Sequence, residues 1–453
     1  MYKTTNKIIV IGGNAAGPAA AAKAKRVNPD AEVILIEAGE FISTGTCELP
    51  YLISNEIDDY KKIVFFSPES FFKSRGVKVF INHFAKQIDT KYKTLEVVDR
   101  STNRTVEFEY DKLILTTGSI ANELPDLPFI LENVFSLKSV NDYLKIKNYL
   151  NSSNSNNVLV VGSGYIGLEL ADSFKKKGFN VTVLDLEELP MPSADDEVRH
   201  LIKDSLIQNE ISFFTSDEQS KFIISENKLK HYKHEGRFID FDLVIVAVGV
   251  QPNSFLAHSA NLKLGKFGGI IVDSRLKTSN PNIYAAGDNI EIKNRITNRN
   301  DYFPLATYAQ RYGHIAGENC AGGNKIAEAV ILNSTFKLFD NFIAQVGLTS
   351  KQVNEHNYLA ESVSAVVPNK VKVMPDSRKV FGKIIYDKNS KLILGASFVG
   401  STEVSGYADL ISSMIYNKNS VLTLAKMDYN YTPPLSPFVN LLSVLGRKIQ
   451  EKF

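Results

Sequence analysis

The chain has no tryptophan, two cysteines and five methionines in 453 residues. With only Cys47 and Cys320 available, a secreted disulfide scaffold is excluded, and a reducing, cytoplasmic setting is expected. Long hydrophobic runs are missing too. The opening apolar run, Ile8–Ile11, is too short for a signal core and far short of the roughly 20 residues that span a membrane. Charge of one sign is also lacking: 52 Lys and Arg face 50 Asp and Glu, a net charge of +2. The densest basic run, Lys175-Lys176-Lys177, reads as a solvated helix end before Gly178. This balance excludes a general nucleic-acid or membrane-surface binder. The seven histidines are scattered, and the one close pair, His231 and His234, has no carboxylate or cysteine at ligand spacing, so no metal site is expected. Low-complexity stretches are absent, and the nearest thing to a linker is the polar run 151–157.

What is present is the composition of a globular chain, 44% hydrophobic and 23% charged, long enough for about three domains. Two segments share one pattern. A β-branched run at Ile8–Ile11 leads into Gly12-Gly13-Asn14-Ala15-Ala16-Gly17, then a helical stretch and a second strand, Val33–Glu37. The order recurs at Val158–Val161, Gly162-Ser163-Gly164-Tyr165-Ile166-Gly167, a helix to about Lys177, and Val181–Asp185. Each is a strand–glycine turn–helix unit whose N-terminal amides can cradle a pyrophosphate. Glu37 and Asp185 end the second strands, near the spacing of about 20 residues at which an acid meets the adenosine ribose. The second fingerprint is complete, whereas Asn14 replaces the middle glycine of the first. After about Val330 the pattern changes to strand-like alternation at Val380–Tyr386 and Leu392–Phe398, with a helical stretch over Val404–Tyr416. That part reads as an α+β domain without a cofactor motif.

Cys47 lies in Ser43-Thr44-Gly45-Thr46-Cys47-Glu48-Leu49-Pro50-Tyr51, after a small flexible loop and at the start of a helical segment. A helix N-terminus lowers a thiol pKa and favours the reactive thiolate. Cys320 lies in an apolar helical pattern and reads as structural.

These residues are similar to the single-cysteine members of the flavin-dependent pyridine nucleotide–disulfide oxidoreductases. That group contains coenzyme A–disulfide reductases, persulfide reductases, NADH oxidases and NADH peroxidases. The resemblance runs through both glycine fingerprints, the cysteine loop, Thr116-Thr117-Gly118, the segment Val246–Asn253, the stretch ending in Asp288, the segment Pro304–Glu318 and the Tyr431–Pro437 region. It implies an α/β chain with two Rossmann-like dinucleotide-binding domains, for FAD and NAD, plus a C-terminal α+β dimerisation domain. The expected limits are 1–117 with 251–330 for FAD, 118–250 for NAD and 331–453 for dimerisation. On this resemblance Gly12, Asn14, Ala15, Gly17 and Glu37 surround the ADP half of FAD. Ser43, Thr117, Gly118, Asp288, Leu305 and Ala306 lie along the rest of that cofactor. Gly162, Gly164, Gly167 and Asp185 hold NADH, Tyr165 gates the nicotinamide, Glu169 lies close to it, and Gly249 is a further cofactor position.

The resemblance makes Cys47 the catalytic thiol and brings Tyr431 to it from the partner subunit of a homodimer. It also assigns Lys23 and Arg26, one helical turn apart, to the phosphates of a coenzyme A-like substrate. The implied reaction passes electrons from NADH through flavin to Cys47 and a small-molecule disulfide or persulfide, with no nucleic acid or membrane involved. Ala15 stands where the peroxidases and oxidases carry histidine, which argues against oxygen or peroxide as acceptor. Two departures separate the chain from coenzyme A–disulfide reductases: Glu48 follows the cysteine, and Lys372–Pro375 lacks a tyrosine. The alternatives are an NADH oxidase reducing oxygen or peroxide, and an NADH-sensing flavoprotein with little turnover.

Overall fold

The computed structural model describes residues 6–453. Its first sheet has five parallel strands in the order Ile283–Ala285, Lys112–Leu115, Lys7–Ile11, Glu32–Ile36, Lys78–Phe80. Ile9, Val10, Leu35 and Leu113 are fully buried, as near-continuous apolar strands covered on both faces must be. A second parallel sheet runs Val134–Phe135, Leu243–Val246, Asn157–Val161, Asn180–Asp185, Ser212–Thr215. In each sheet the chain runs outward from a central strand and then returns to that strand's other side. The reversal leaves a crevice at the carboxyl ends of 7–11 and 112–115, and another at those of 157–161 and 243–246, where open α/β sheets bind ligands.

The third sheet is antiparallel, in the order Asn333–Leu338, Asn341–Gly347, Ile393–Gly400, Lys379–Asp387, Ala360–Pro368. Helices Glu403–Tyr416 and Leu441–Gln450 share a core with it. The strands and helix expected after Val330 are therefore present. The expected alternation does not extend to burial, because every residue of Ile393–Gly400 is buried. One face meets the two helices, while Val399, with Phe336, Leu338 and Ile343, joins the core of the second sheet.

An ion cluster with a buried Lys383 and Asp195 and an exposed Glu197 adds to that junction. Lys383 of the third sheet lies 2.8 Å from Glu197 and 3.6 Å from Asp195, and Asp195 also accepts from the Ser350 amide at 2.8 Å. The run 151–157 is less of a linker than its composition suggests. The helix Val140–Ser152 enters it and the strand Asn157–Val161 begins at its end.

Candidate active site

Both glycine loops are built alike. Gly12 and Gly162 take φ of +108° and +102°, conformations that favour glycine. A Cβ on Gly17 would lie 1.8 Å from the Gly12 carbonyl oxygen, and one on Gly167 would lie 2.0 Å from that of Gly162. Each helix start is thus pressed against its strand end. The acids close the same arrangement: Glu37 accepts from the Gly13 amide at 2.6 Å, and Asp185 from the Ser163 amide at 2.7 Å. Asp185 also accepts from the Ser163 hydroxyl and from the Leu186 amide. Around Gly164 and Gly118 there is open space where a ligand can approach the backbone. Gly249 has φ +89°, and its carbonyl accepts from the Asn122 amide at 3.1 Å.

Asn14, the departure in the first loop, clasps the cysteine segment. Its Oδ1 accepts from the Thr44 amide at 3.1 Å and the Thr44 hydroxyl at 3.3 Å, while the Ser43 amide donates to the Gly13 carbonyl at 2.7 Å. Cys47 then lies in a short turn, Thr46–Glu48, ahead of the helix Leu49–Ile53, and is exposed. The expectation of a lowered thiol pKa is overturned. The protein packed around the sulphur raises it, and the carboxylates of Glu48, Glu169 and Asp288 raise it further; Lys138 alone pulls it down. One short turn cannot outweigh three nearby carboxylates, two of them from distant parts of the chain.

Glu169 is pushed up to about 7 by burial, with Asp172 adding to the effect. It lines a cavity of about 240 Å³ with Tyr51, Phe336, Lys337 and Phe342. Tyr165 leans toward the same wall, edge-on to Phe336 at 5.1 Å with its hydroxyl 3.2 Å from Ser334. At the other crevice, Asp288 accepts from Ser119 at 3.1 Å, and burial raises its pKa against the pull of Lys138. Thr117 donates to the Asn253 carbonyl at 2.6 Å. Leu305 and Ala306 open the helix Ala306–Cys320, whose first turn has no side-chain cap. Gly313 and Gly317 of that helix lie against Ala16 and Ala20, so the start of the first helix is locked against the second half of this one. Cys320 is buried and its thiol is raised to about 12, as its structural reading requires.

A model of the pyridine nucleotide-disulphide oxidoreductases matches residues 6–313, and the dimerisation-domain model of the same family matches 334–441. The chain belongs to the pyridine nucleotide-disulphide oxidoreductases. An NADH oxidase of Methanocaldococcus jannaschii is 30% identical over 98% of this chain and 99% of its own. A coenzyme A disulfide reductase of Staphylococcus aureus is 30% identical, again over 98% and 99%. Among solved structures, a NAD-dependent persulfide reductase from A. fulgidus superposes with a TM-score of 0.93 at 30% identity, covering 98% of this chain and 83% of that one.

FAD and a nicotinamide dinucleotide are the family's cofactors, and the residues present fit them. Among the described residues, the buried Asn289 Oδ1 and Tyr302 Oη have no hydrogen-bond partner. Asn289 Nδ2 donates to Thr117, and Tyr302 feels the charge of Asp288, so both unsatisfied atoms belong to the crevice at the end of the first sheet. A polar ligand there would satisfy them.

The remaining sequence-derived positions lie farther out. Arg26 is exposed, and Lys23 pairs with Glu318 at 3.0 Å. Both act on His314, which burial, Arg26, Lys23 and Lys325 hold below its usual range. Tyr431 is half exposed and edge-on to Phe438 at 5.4 Å. Lys176 is not simply solvated, since it bridges Asp172 and Glu56, each at 3.1 Å. Sequence reading missed Lys138, Tyr302 and Asn289. Asn289 directly follows Asp288 in sequence, whereas only the assembled crevice brings Lys138 and Tyr302 to it.

Proposed function

We propose that this flavoprotein uses NADH to reduce a small-molecule disulfide or persulfide at Cys47, as a homodimer in a reducing compartment. The observation that carries the reading is the contrast between its two free cysteines: Cys47 is exposed beside Glu169 and Asp288, and Cys320 is sealed in the core. One protein thiol suffices when the substrate supplies the second sulphur. FAD, when bound, supplies the two-electron relay from NADH to sulphur. The chain does the rest. The Gly12–Gly17 backbone, Glu37 and Asp288 serve FAD, while Gly162–Gly167 and Asp185 serve NADH.

At the sulphur, the Cys47 thiolate attacks one sulphur of the substrate, the substrate S–S bond breaks, and a thiol leaves with a proton. Glu169, near neutrality beside Cys47, can hold the proton that the thiol gives up. The C-terminal segment of a second subunit completes this site in the dimer. Tyr431, Leu435 and Phe438 expose apolar surface on that segment, the kind of patch that another subunit covers. A monomer with full disulfide turnover, seen by sedimentation at the assay concentration, would refute the shared site.

A coenzyme A-like carrier suits the cations. Arg311 and Lys325 line a groove of about 740 Å³ together with the neutral His314, and Lys23 and Arg26 flank His314. The test is anaerobic NADH loss with coenzyme A disulfide, coenzyme A persulfide, glutathione disulfide and polysulfide. Turnover with one of these supports the reading, and turnover with oxygen alone overturns it.

A further inference from the structure

Asn14 stands where the first fingerprint has its middle glycine, and its backbone φ is not positive, so the turn accommodates a side chain there. Its carbonyl accepts from the Gly17 amide at 2.8 Å, which fixes it inside the turn that a dinucleotide pyrophosphate approaches. The side chain reaches another part of the chain. Asn14 Oδ1 accepts from the Thr44 amide at 3.1 Å and from the Thr44 hydroxyl at 3.3 Å. A backbone amide can only donate, so the oxygen of Asn14 and not its nitrogen must face Thr44. One residue earlier, Ser43 takes φ +52°, and its amide donates to the Gly13 carbonyl at 2.7 Å. A serine stays in the left-handed region only where its surroundings hold it, and the glycine turn supplies two such holds. The packing is close as well, since a Cβ on Gly13 would lie 2.8 Å from Ile42 Cγ2. On its other side the segment pairs with the strand Val64–Phe66. Cys47 is the third residue after Thr44, in the turn Thr46–Glu48. The glycine turn is therefore one of the two walls that hold the approach to the sulphur.

We propose that Asn14 is a positioning residue that couples FAD binding to the order of the Cys47 segment. A dinucleotide in the glycine turn holds that turn still, and Asn14, with the Gly13 carbonyl, passes the constraint to Ser43 and Thr44. Reciprocity then requires that loosening the clasp weaken FAD by the factor that the clasp contributed. The coupling rests on the family's FAD alone, whereas its use in sulphur chemistry rests on the reading that Cys47 is the reacting thiol.

The test is amide-resolved hydrogen exchange of the full chain, stripped of FAD and then reloaded. It is read at Ser43, Gly45 and Glu48, whose amides donate to Gly13, Ile63 and Gly45 and not to Asn14, so the loss of a bond to Asn14 does not move them directly. In the wild type FAD should slow these amides about tenfold, the factor that one or two hydrogen bonds give. Asn14→Gly restores the glycine of the fingerprint and removes the clasp. Flavin absorbance should show that variant loaded, yet FAD should slow the same amides by less than about twofold. Asn14→Ala serves the same purpose if Asn14→Gly does not load. Asn14→Asp keeps an acceptor oxygen and should recover the slowing, while its charge beside the phosphates weakens FAD binding. No slowing in the wild type, equal slowing in Asn14→Gly and the wild type, or an Asn14→Asp protein that behaves like Asn14→Gly overturns the proposal. If the stripped chain does not hold its fold, the loaded proteins decide, and exchange at these amides no faster in Asn14→Gly than in the wild type overturns it equally. No disulfide is involved, so a wrong substrate or a wrong reacting thiol shows as absent turnover in the wild type and leaves this measurement intact.

Discussion

Replacing Glu169 with glutamine removes a carboxyl group that burial holds at about 7, against 4.5 for the free side chain. The sign follows from proton binding. Below about pH 4.5 both states carry the proton and the group costs nothing. Between 4.5 and 7 the unfolded chain releases it while the folded chain keeps it, so stability falls as pH rises; above about 7 the loss is complete. At about 1.4 kcal/mol per pH unit, the full loss is on the order of 3 kcal/mol. Glutamine mimics the protonated carboxyl and does not titrate. Denaturant unfolding of wild type and Glu169→Gln, without pyridine nucleotide, should therefore give a difference that grows in favour of the variant from acid to neutral pH. Any change in hydrogen bonding adds a constant offset and leaves the slope alone. A difference that stays flat between about pH 4.5 and 7 would contradict the reasoning.

Three further outcomes are expected. Cys47→Ser should keep FAD and its reduction by NADH but lose disulfide turnover by several orders of magnitude in anaerobic stopped flow, since a serine hydroxyl is far less acidic and far less nucleophilic toward sulphur than a thiol. NADH should be preferred over NADPH by at least about tenfold in kcat/KM, because Asp185 stands at the ribose end of its strand with Leu186, Glu187 and Glu188 after it, and the nearby Arg199 is already engaged by Glu187, Asp196 and the Leu189 carbonyl. Lys383→Met should cost about 3–5 kcal/mol in denaturant unfolding, the range for breaking a buried ion pair, because Asp195 stays buried without its cation.

Local rules carried far in this chain. β-Branched runs before glycine turns mark Lys7–Ile11 and Asn157–Val161, and both turns fold alike because only glycine permits the backbone at Gly12 and Gly162 and the close approach at Gly17 and Gly167. The exposed Cys47 and buried Cys320 also followed from their neighbours in sequence. Asn14 could be seen as a departure, but its use could not, because Thr44 becomes its partner only when the cysteine loop folds back over the glycine turn.

The sequence by itself determined the two nucleotide units, the α+β third part and which cysteine is exposed, because each depends on short-range periodicity, backbone sterics or composition. Glu48, the residue after that cysteine, is legible in the sequence as a carboxylate that raises its thiol, but tertiary structure decided the rest of its electrostatics. Glu169, Asp288 and Lys138 reach Cys47 from separate elements, and a charge acts through distance in space, whatever its separation along the chain. The same reason hid the Lys383 cluster and the double burial of Ile393–Gly400, which exist only where the third sheet meets the second.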